Sequence, residues 1–355
     1  MPVRQKKEED VSWFKQHEFS LSLLCFLVIL AIISIVIFAQ RGPEKSVIQI
    51  CGDGSFYNSC SITKPYYCDS NGNLIEKASV CSCDANEQIN GDSCLNSFQT
   101  KPKTISLSYI LNGNESKINF VAYQGMSTYL SSLPQDISYS GNETILISDF
   151  IFNKINQQDQ RQLLLPLAIA IQNITSDRTD QARIAISIVQ NIPYGVSNKT
   201  TSFFGTKVNY SRYPYQILYD NQGICGEKSE LLAFLLRDLG YGTAIFYYPQ
   251  ENHEAVGIKC PVEDSYQKTG YCFVETTGPA IISDSYLQYV GGTVLTSQPE
   301  ITLVSTGDSL PSGLPEYSDA ETMTKLTKGE FVFLGNSKLN NLVNKYGLIN
   351  EYQIA

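Results

Sequence analysis

Three residues in the second half of the chain have the chemistry of a nucleophilic thiol site. Cys225 lies in the run GICGEKS from Gly223 to Ser229, at the start of an apolar stretch. His253 and Glu275 follow it in two strand-like segments. Thiol catalysis needs a cysteine held as thiolate, a base that takes its proton, and a carboxylate that orients the base. The chain supplies these three groups in that order.

Histidine is scarce in this chain, which narrows the choice of base. The sequence has two histidines, His17 and His253. An imidazole titrates near neutral pH, so His253 is the natural general base if His17 lies on the far side of a membrane. A lone histidine in a strand is by itself more often structural. The motifs around His253 favour the catalytic interpretation.

The elements predicted around these residues would hold them together. The stretch after Cys225 has a wide apolar face and ends at Gly240, as a buried helix with a glycine cap does. A helix start at Cys225 places unpaired amides beside the thiol and stabilises a thiolate, although a buried, inert cysteine is the competing interpretation. A helix is also predicted over Asp177 to Gln190, and strands over Thr243 to Tyr248, His253 to Ile258 and Phe273 to Thr277.

As an ordered set, these motifs resemble the transglutaminase-like superfamily over residues 177–279. They are Gly-x-Cys at a helix start, RDLGYG at the helix end, a histidine heading a strand, an acid followed by two threonines, and an upstream helix from Ala182 to Tyr194. The resemblance implies an α+β, papain-like core, in which a helix bearing the cysteine packs on an antiparallel sheet bearing the histidine and the acid. It also implies that Cys225, His253 and Glu275 act on amide carbonyls, in proteolysis, acyl transfer to amines, or deamidation.

The chain departs from that family in the acid segment. Glu275 stands where aspartate is usual, and its additional methylene lengthens the reach to the imidazole. The tryptophan common in that segment is replaced by Tyr271 or Phe273. The amide of Cys225 is a natural donor to an oxyanion. The side-chain candidates for the same role are Gln216, Tyr219 and Gln222.

The cysteines predict an oxidising environment. Six fall in one stretch rich in Gly, Asn, Asp and Ser: Cys51, Cys60, Cys68, Cys81, Cys83 and Cys94. They predict a disulfide-rich module whose pairing the sequence leaves open. A zinc site is the alternative, but the stretch has no histidine and no paired Cys-x-x-Cys. Its composition resembles small EGF-like or knottin-like modules.

Strand alternation pairs two further cysteines. If His253 and Glu275 share one face of an antiparallel pair, then Cys260 and Cys272 turn to the other face. We therefore expect a disulfide between Cys260 and Cys272. Cys225 is then left as the free thiol of the exported part.

An apolar run without a charge, from Phe19 to Ala39, predicts one transmembrane helix. The basic residues before it predict a cytoplasmic N-terminus: Arg4, Lys6, Lys7 and Lys15. A cleaved signal peptide is the alternative, disfavoured by the length of the run and the lack of a small-residue cleavage site. The sequence thus predicts a single-pass protein of the cell membrane, with its C-terminal domains outside the cytoplasm.

Composition and charge narrow the partners. A net charge of -9, a pI of about 4.9 and no basic stripe argue against nucleic acid. We expect no metal and no cofactor, a protein or peptide as substrate, and a membrane contact through residues 19–39.

The sequence predicts six consecutive regions. They are a cytoplasmic tail at 1–18, the transmembrane helix at 19–39, a disulfide-rich module at 46–98, a mixed region at 100–176, the catalytic core at 177–290 and a C-terminal extension at 291–355. Within the mixed region, strands are expected at 104–111 and 117–123. Strands are also expected within 281–303 and at 331–334.

Two other functions fit the same residues. A catalytically silent adhesion or scaffold protein would keep the core as a fold, because a fold alone does not guarantee chemistry. The Gly-x-Cys-Gly-Glu motif also resembles peptide N-glycanases, so deglycosylation is a minor alternative. The thiol-enzyme interpretation is preferred because all three roles of the triad are filled.

Overall fold

The computed structural model divides the chain into two units, residues 1–48 and residues 49–355. It describes residues 26–32, 49–84, 87–96, 98–137, 144, 146–203, 206–286, 294–328 and 335–348. In the first unit, residues 26–32 are helical and exposed. The rest of that unit, including His17, lies outside the described residues.

The prediction of a transmembrane helix over Phe19 to Ala39 is corrected by the structure. None of the helices in the described ranges is long and apolar enough to cross a membrane. Of the predicted span the structure describes residues 26–32, which are helical, whereas a helix that crosses the membrane needs about 20 residues. The single-pass membrane location and the cytoplasmic tail depended on that helix and fall with it.

The second unit begins with a region held by disulfides. Short strands β1 (Ser59–Cys60), β2 (Tyr66–Cys68) and β3 (Leu74–Glu76) form an antiparallel sheet, followed by α1 (Ala78–Cys81) and a hairpin of β4 (Gln88–Asn90) and β5 (Ser93–Leu95). The disulfides join Cys51 to Cys68, Cys60 to Cys81, and Cys83 to Cys94. With all six sulfurs bonded in pairs, the zinc alternative has no thiolate ligand in this stretch.

A long hairpin and a group of helices come next. Strands β6 (Pro102–Leu111) and β7 (Asn114–Tyr123) pair along their whole length, and both run beyond the predicted bounds. The helices that follow are α2 (Gln124–Ser132), α3 (Ile147–Ile155), α4 (Gln158–Ile174) and α5 (Arg178–Asn191). Asp177 caps α5 by accepting a hydrogen bond from the amide of Asp180, so the predicted helix starts one residue later.

The elements that carry the candidate site are a helix and a sheet. After the hairpin of β8 (Thr200–Phe203) and β9 (Thr206–Asn209) come α6 (Pro214–Asp220) and α7 (Cys225–Asp238). The sheet then contains β10 (Thr243–Tyr248), β11 (His253–Lys259) and β12 (Tyr271–Val274), all antiparallel. Short 3₁₀ turns at Val262–Asp264 and Tyr266–Lys268 connect the last two strands.

Helix α7 and the sheet share the main hydrophobic core. Leu231, Leu232 and Leu235 of the helix are fully buried with Val256 and Ile258 of β11. Each such side chain contributes about 1.5–3 kcal/mol on burial, before the cost of ordering the chain is subtracted. The mixed helix and sheet are consistent with the α+β part of the predicted fold class; the transmembrane part is wrong.

The described residues of the C-terminal region form one strand and two helices. Within 281–303, the described residues contribute one strand, β13 (Glu300–Ser305), which pairs with β10 as the fourth strand of the sheet. Two helices follow, α8 (Pro315–Thr327) and α9 (Gly335–Tyr346). The predicted strand at 331–334 lies outside the described residues. The sheet that carries the site therefore draws its edge strand from beyond residue 290.

Candidate active site

Cys225 is the first residue of α7. It is partly exposed, and no other cysteine of the described ranges is outside a disulfide. Glu227 closes the helix start, since its Oε2 accepts a hydrogen bond from the amide of Ile224 at 3.1 Å. The amides of the first turn have no acceptor within the helix, and their partial positive charge lies beside the sulfur. The position suits a thiolate and an oxyanion formed next to it.

His253 connects the thiol to the acid. Its Nε2 lies 2.9 Å from Oε2 of Glu275, and the ring is also hydrogen-bonded to Cys225. Nδ1 is the nitrogen left for the sulfur. Burial alone would lower the pKa of His253, but the hydrogen bonds and negative charges of Cys225 and Glu275 raise it to about 10. The imidazole is therefore protonated at neutral pH, and its positive charge then favours a thiolate at Cys225.

Glu275 is fully buried directly after β12, and both of its oxygens have partners. Oε1 accepts hydrogen bonds from the backbone amide and the hydroxyl of Thr277, at 2.7 and 2.6 Å. The backbone carbonyl of Glu275 accepts from Nε2 of Gln190 on α5 at 2.9 Å. The carboxylate is thus fixed in place, and the additional methylene of glutamate reaches the imidazole from beyond the end of the strand.

Lys228 supports this arrangement through hydrogen bonds to the backbone, and it is not among the residues that the sequence predicts for the site. The side chain is fully buried, and Nζ donates to the carbonyls of Ile192 at 2.5 Å, Thr277 at 3.1 Å and Gln190 at 3.4 Å. Burial lowers the pKa of Lys228 to about 7, and the negative charge of Glu275 opposes that shift. A lysine in the apolar stripe formed by Leu231, Leu232 and Leu235 was the signal available in the sequence.

Two of the three predicted oxyanion side chains point elsewhere. Gln216 is buried. Its Nε2 donates to the carbonyl of Ser127 at 2.9 Å, and its Oε1 accepts from the hydroxyl of Tyr210 at 2.7 Å. The ring of Tyr219 packs under Nζ of Lys103, whose ammonium lies 5.2 Å from the ring centre. Gln216 and Tyr219 therefore serve the packing of α6 and not the thiol.

Gln222 lies three residues before Cys225, and Tyr194 packs beside that segment. Gln222 packs against Gly195, where a Cβ would lie 2.8 Å from Oε1 of the glutamine. Tyr194 pairs with Gly223 in a parallel bridge, two residues before Cys225. Burial raises the pKa of Tyr194, and the negative charges of Cys225 and Glu227 raise it further. Tyr194 is thus, after Lys228, a second residue near Cys225 that the sequence pattern does not predict.

Cys260 and Cys272 form a disulfide at the far end of β11 and β12 from His253. Cys272 lies opposite Ile258, and the amide of Cys260 donates to the carbonyl of Gly270 at 3.0 Å. Both cysteines pack in the main core. The bond joins the two strands that carry the base and the acid.

A cavity of about 320 Å³ opens beside Cys225. It lies between α3, β9, the start of α7 and the sheet strands β10 and β11. Its lining includes apolar or aromatic residues, Ile147, Phe150, Ile151, Val208 and Tyr247, and charged residues, Lys154, Glu227, Glu230 and Glu254. A substrate carbonyl that reaches the sulfur has this cavity next to it.

One group of described residues has ligand atoms close enough for a metal: Cys83, Glu87 and Cys94. Cys83 and Cys94 are bonded to each other, so their sulfurs are not thiolate ligands. This group belongs to the disulfide-rich region and not to the site at Cys225.

Comparisons with known proteins give limited information. No protein-family model matches the chain, and no curated protein matches it. Among solved structures, calcium-bound LapG of Legionella pneumophila is similar at 13% sequence identity, over 46% of this chain and 98% of that chain, with a TM-score of 0.19. Such a score does not establish a shared fold, so the geometry of the site carries the functional conclusion.

Proposed function

We propose that this chain is a thiol-dependent enzyme that acts on amide carbonyls through Cys225, His253 and Glu275, as a transglutaminase-like cysteine peptidase or acyl transferase. The observation that supports this best is the contact chain: His253 bonds to the free thiol on one side and to a fully buried carboxylate on the other. The ordered sequence motifs from residue 177 to residue 279, which resemble that superfamily, support the same reaction class.

Each residue has a defined step in this reaction. The thiolate of Cys225 attacks the carbonyl carbon, and the first-turn amides of α7 stabilise the oxyanion. His253 donates its proton to the leaving nitrogen, the C–N bond breaks, and a thioester to Cys225 remains. Water or an amine then gives a proton to His253 and attacks the thioester, which releases the acyl group and restores the thiolate. Glu275 orients the imidazole and balances its charge throughout.

The pH dependence of Cys225 alkylation tests this proposal without a known substrate. We expect iodoacetamide to alkylate the wild-type chain readily at pH 6, where an ordinary thiol is almost fully protonated. His253→Ala should react at least about tenfold more slowly at that pH, and Glu275→Gln should lie between the two. The N-terminal apolar run contains a further cysteine, Cys25, and mapping of the labelled peptide distinguishes it from Cys225. Cys225→Ser provides the blank.

Superimposable profiles for the wild type and both variants, with reaction only at alkaline pH, would overturn the proposal. They would mean that Cys225, His253 and Glu275 do not act together. The chain would then be better described as a catalytically silent scaffold.

A further inference from the structure

The cavity beside Cys225 is lined by two carboxylates that the proposed reaction does not use. Glu230 lies on α7, five residues after the nucleophile, and Glu254 follows His253 on β11. The carboxylate of Glu254 packs against Gly226, where a Cβ would lie 3.1 Å from Oε1. The glycine next to the nucleophile therefore leaves room for a carboxylate at this point.

Both carboxylates have an oxygen without a hydrogen-bond donor. Glu230 is 5% exposed, and its Oε2 accepts no hydrogen bond from the described residues. The same is true of the buried Oε2 of Glu254. A buried acceptor left without a donor costs about 1–3 kcal/mol, and more when it is charged. Both glutamates line the cavity, so a cationic group bound there lies beside their carboxylates.

The cavity also has fewer positive charges than carboxylates. Glu227, the third carboxylate that lines it, is paired with the buried Arg212 at 2.9 Å. Among the described residues that line the cavity, Lys154 is the one cation; its Nζ lies 3.7 Å from Oε2 of Glu230 and donates to the hydroxyl of Ser211. One ammonium therefore faces two carboxylates, Glu230 and Glu254. The imidazolium of His253 is already engaged by Cys225 and Glu275.

Electrostatics within the cavity agree with this imbalance. Burial raises the pKa of Glu230, and the neighbouring charge of Glu254 raises it further, while Lys154 opposes the shift. Burial likewise raises the pKa of Glu254. A second cation between the two carboxylates would stabilise their ionised forms.

We propose that this cavity is a binding subsite for an ammonium or guanidinium group on an alkyl stem, held by Glu230 and Glu254 beside the thiol. The apolar wall of Phe150, Ile151 and Val208 is suited to the methylenes of such a stem. A volume of about 320 Å³ is at the lower end of the range for small-molecule sites, so it fits one extended side chain. The cation belongs either to a lysine or arginine side chain of the acyl donor or to a primary amine that accepts the acyl group. The inference rests on the proposed function, because it describes the substrate of that same site.

The first test compares electrophiles that share one warhead. Peptidyl vinyl sulfones with lysine, arginine or norleucine beside the reactive group are applied to the full chain, and the second-order rate of Cys225 modification is measured. We expect the lysine or arginine compound to react at least tenfold faster than the norleucine compound. Glu254→Gln and Glu230→Gln should each reduce that ratio towards one, whereas Glu263→Gln, a change at an exposed carboxylate outside the cavity, should keep it.

Lys154 provides a variant with the opposite expected sign. Lys154→Met removes the resident ammonium, so the preference for a cationic compound should increase. Circular dichroism of each variant shows that it is folded. This test therefore does not depend on loss of function, which misfolding could imitate.

The second test determines whether the cation belongs to the acyl donor or to the acceptor. Free pentylamine should slow iodoacetamide alkylation of Cys225 in a saturable way if the amine itself occupies the cavity, and pentanol, which is neutral, should not. Protection by pentylamine supports the acceptor; a lysine or arginine preference without such protection supports the donor. Equal rates for all three vinyl sulfones, together with no protection by pentylamine, would overturn the subsite. Iodoacetamide reactivity at pH 6 separates this result from failure of the proposed function, because it requires the thiolate but no cation.

Discussion

Lys228 and Glu230 are two charged residues buried in the same helix, two positions apart, with opposite surroundings. The ammonium of Lys228 donates to three carbonyls, from Gln190, Ile192 and Thr277. Glu230 lines the cavity beside Cys225, and one of its oxygens is buried without a hydrogen-bond donor. A buried charge is tolerated where its hydrogen bonds are complete and is costly where they are not. We infer that Lys228 is a structural support for the contacts among Cys225, His253 and Glu275, and that Glu230 is kept for a ligand.

The largest effect that tests this contrast is expected from Lys228→Met. Loss of the ammonium leaves up to three buried carbonyls without a donor, at about 1 kcal/mol or more each, so the free energy of unfolding should fall by about 3 kcal/mol. The segment that holds Glu275 should also lose its anchor at Thr277. We expect Cys225 alkylation at pH 6 to slow by roughly 10- to 100-fold, because small errors in position are costly in catalysis.

Denaturant unfolding with the disulfides intact measures the first effect, and iodoacetamide the second. Lys117→Met, on the exposed side of β7, is the matched control and should change stability by no more than about 0.5 kcal/mol. If Lys228→Met behaved like this control, the ammonium would have no supporting role.

The same residues show what a sequence can predict about such a site. The helix from Cys225 and the strands at Thr243 and His253 are signalled locally, by an apolar face, a terminal glycine and β-branched or aromatic residues. The acceptors of Lys228 are backbone carbonyls 36 to 49 residues away along the chain, which no local pattern indicates. Gln216 has the chemistry of an oxyanion donor, but tertiary contacts with Ser127 and Tyr210 use its amide.

The apolar run near the N-terminus shows a different limit. Its composition satisfies the rule for a transmembrane helix, since it is long enough and has no charge. The structure describes residues 26–32 of this run, and no helix in the described part of the chain is long and apolar enough to cross a membrane. Hydropathy records how apolar a segment is, and the length of the helix is a separate property.

A medium-sized effect is expected in the pH dependence of stability. The folded pKa of Lys228 is about 7, below its ordinary value of 10.5, so the unfolded chain binds more protons between these values and stability rises with pH there. The folded pKa of His253 is about 10, above its ordinary 6.5, so its contribution is complete below pH 6.5 and is lost as the pH rises through 10. The two slopes oppose each other in the wild type between pH 7 and pH 10.

Removal of Lys228 should therefore expose the slope due to His253. We expect the stability of Lys228→Met to decrease between pH 7 and pH 9 by up to about 1.4 kcal/mol per pH unit, while that of the wild type changes less. Denaturant unfolding at pH 7, 8 and 9 measures both slopes. Parallel profiles for the two proteins would show that Lys228 does not titrate in this range in the folded state.

The smallest expected effect concerns Glu230, and its sign should be opposite to that of Lys228. Glu230→Met replaces a buried carboxylate, one oxygen of which has no hydrogen-bond donor, with an apolar side chain of similar length, so the cost of burying that oxygen disappears. The substitution also removes the ion pair between Glu230 and Lys154 at 3.7 Å. Lys154 keeps its hydrogen bond to Ser211 and its attraction to Glu254, so the loss of stability from removing that ion pair is small. We expect the free energy of unfolding to rise by up to about 1 kcal/mol. Glu230→Met should also lose the preference for the lysine or arginine vinyl sulfone over the norleucine compound. Together, the two results would show that Glu230 reduces stability while it contributes to binding. A destabilisation as large as that of Lys228→Met would mean that Glu230 is a structural partner of Lys154, and that both buried charges in α7 serve the fold.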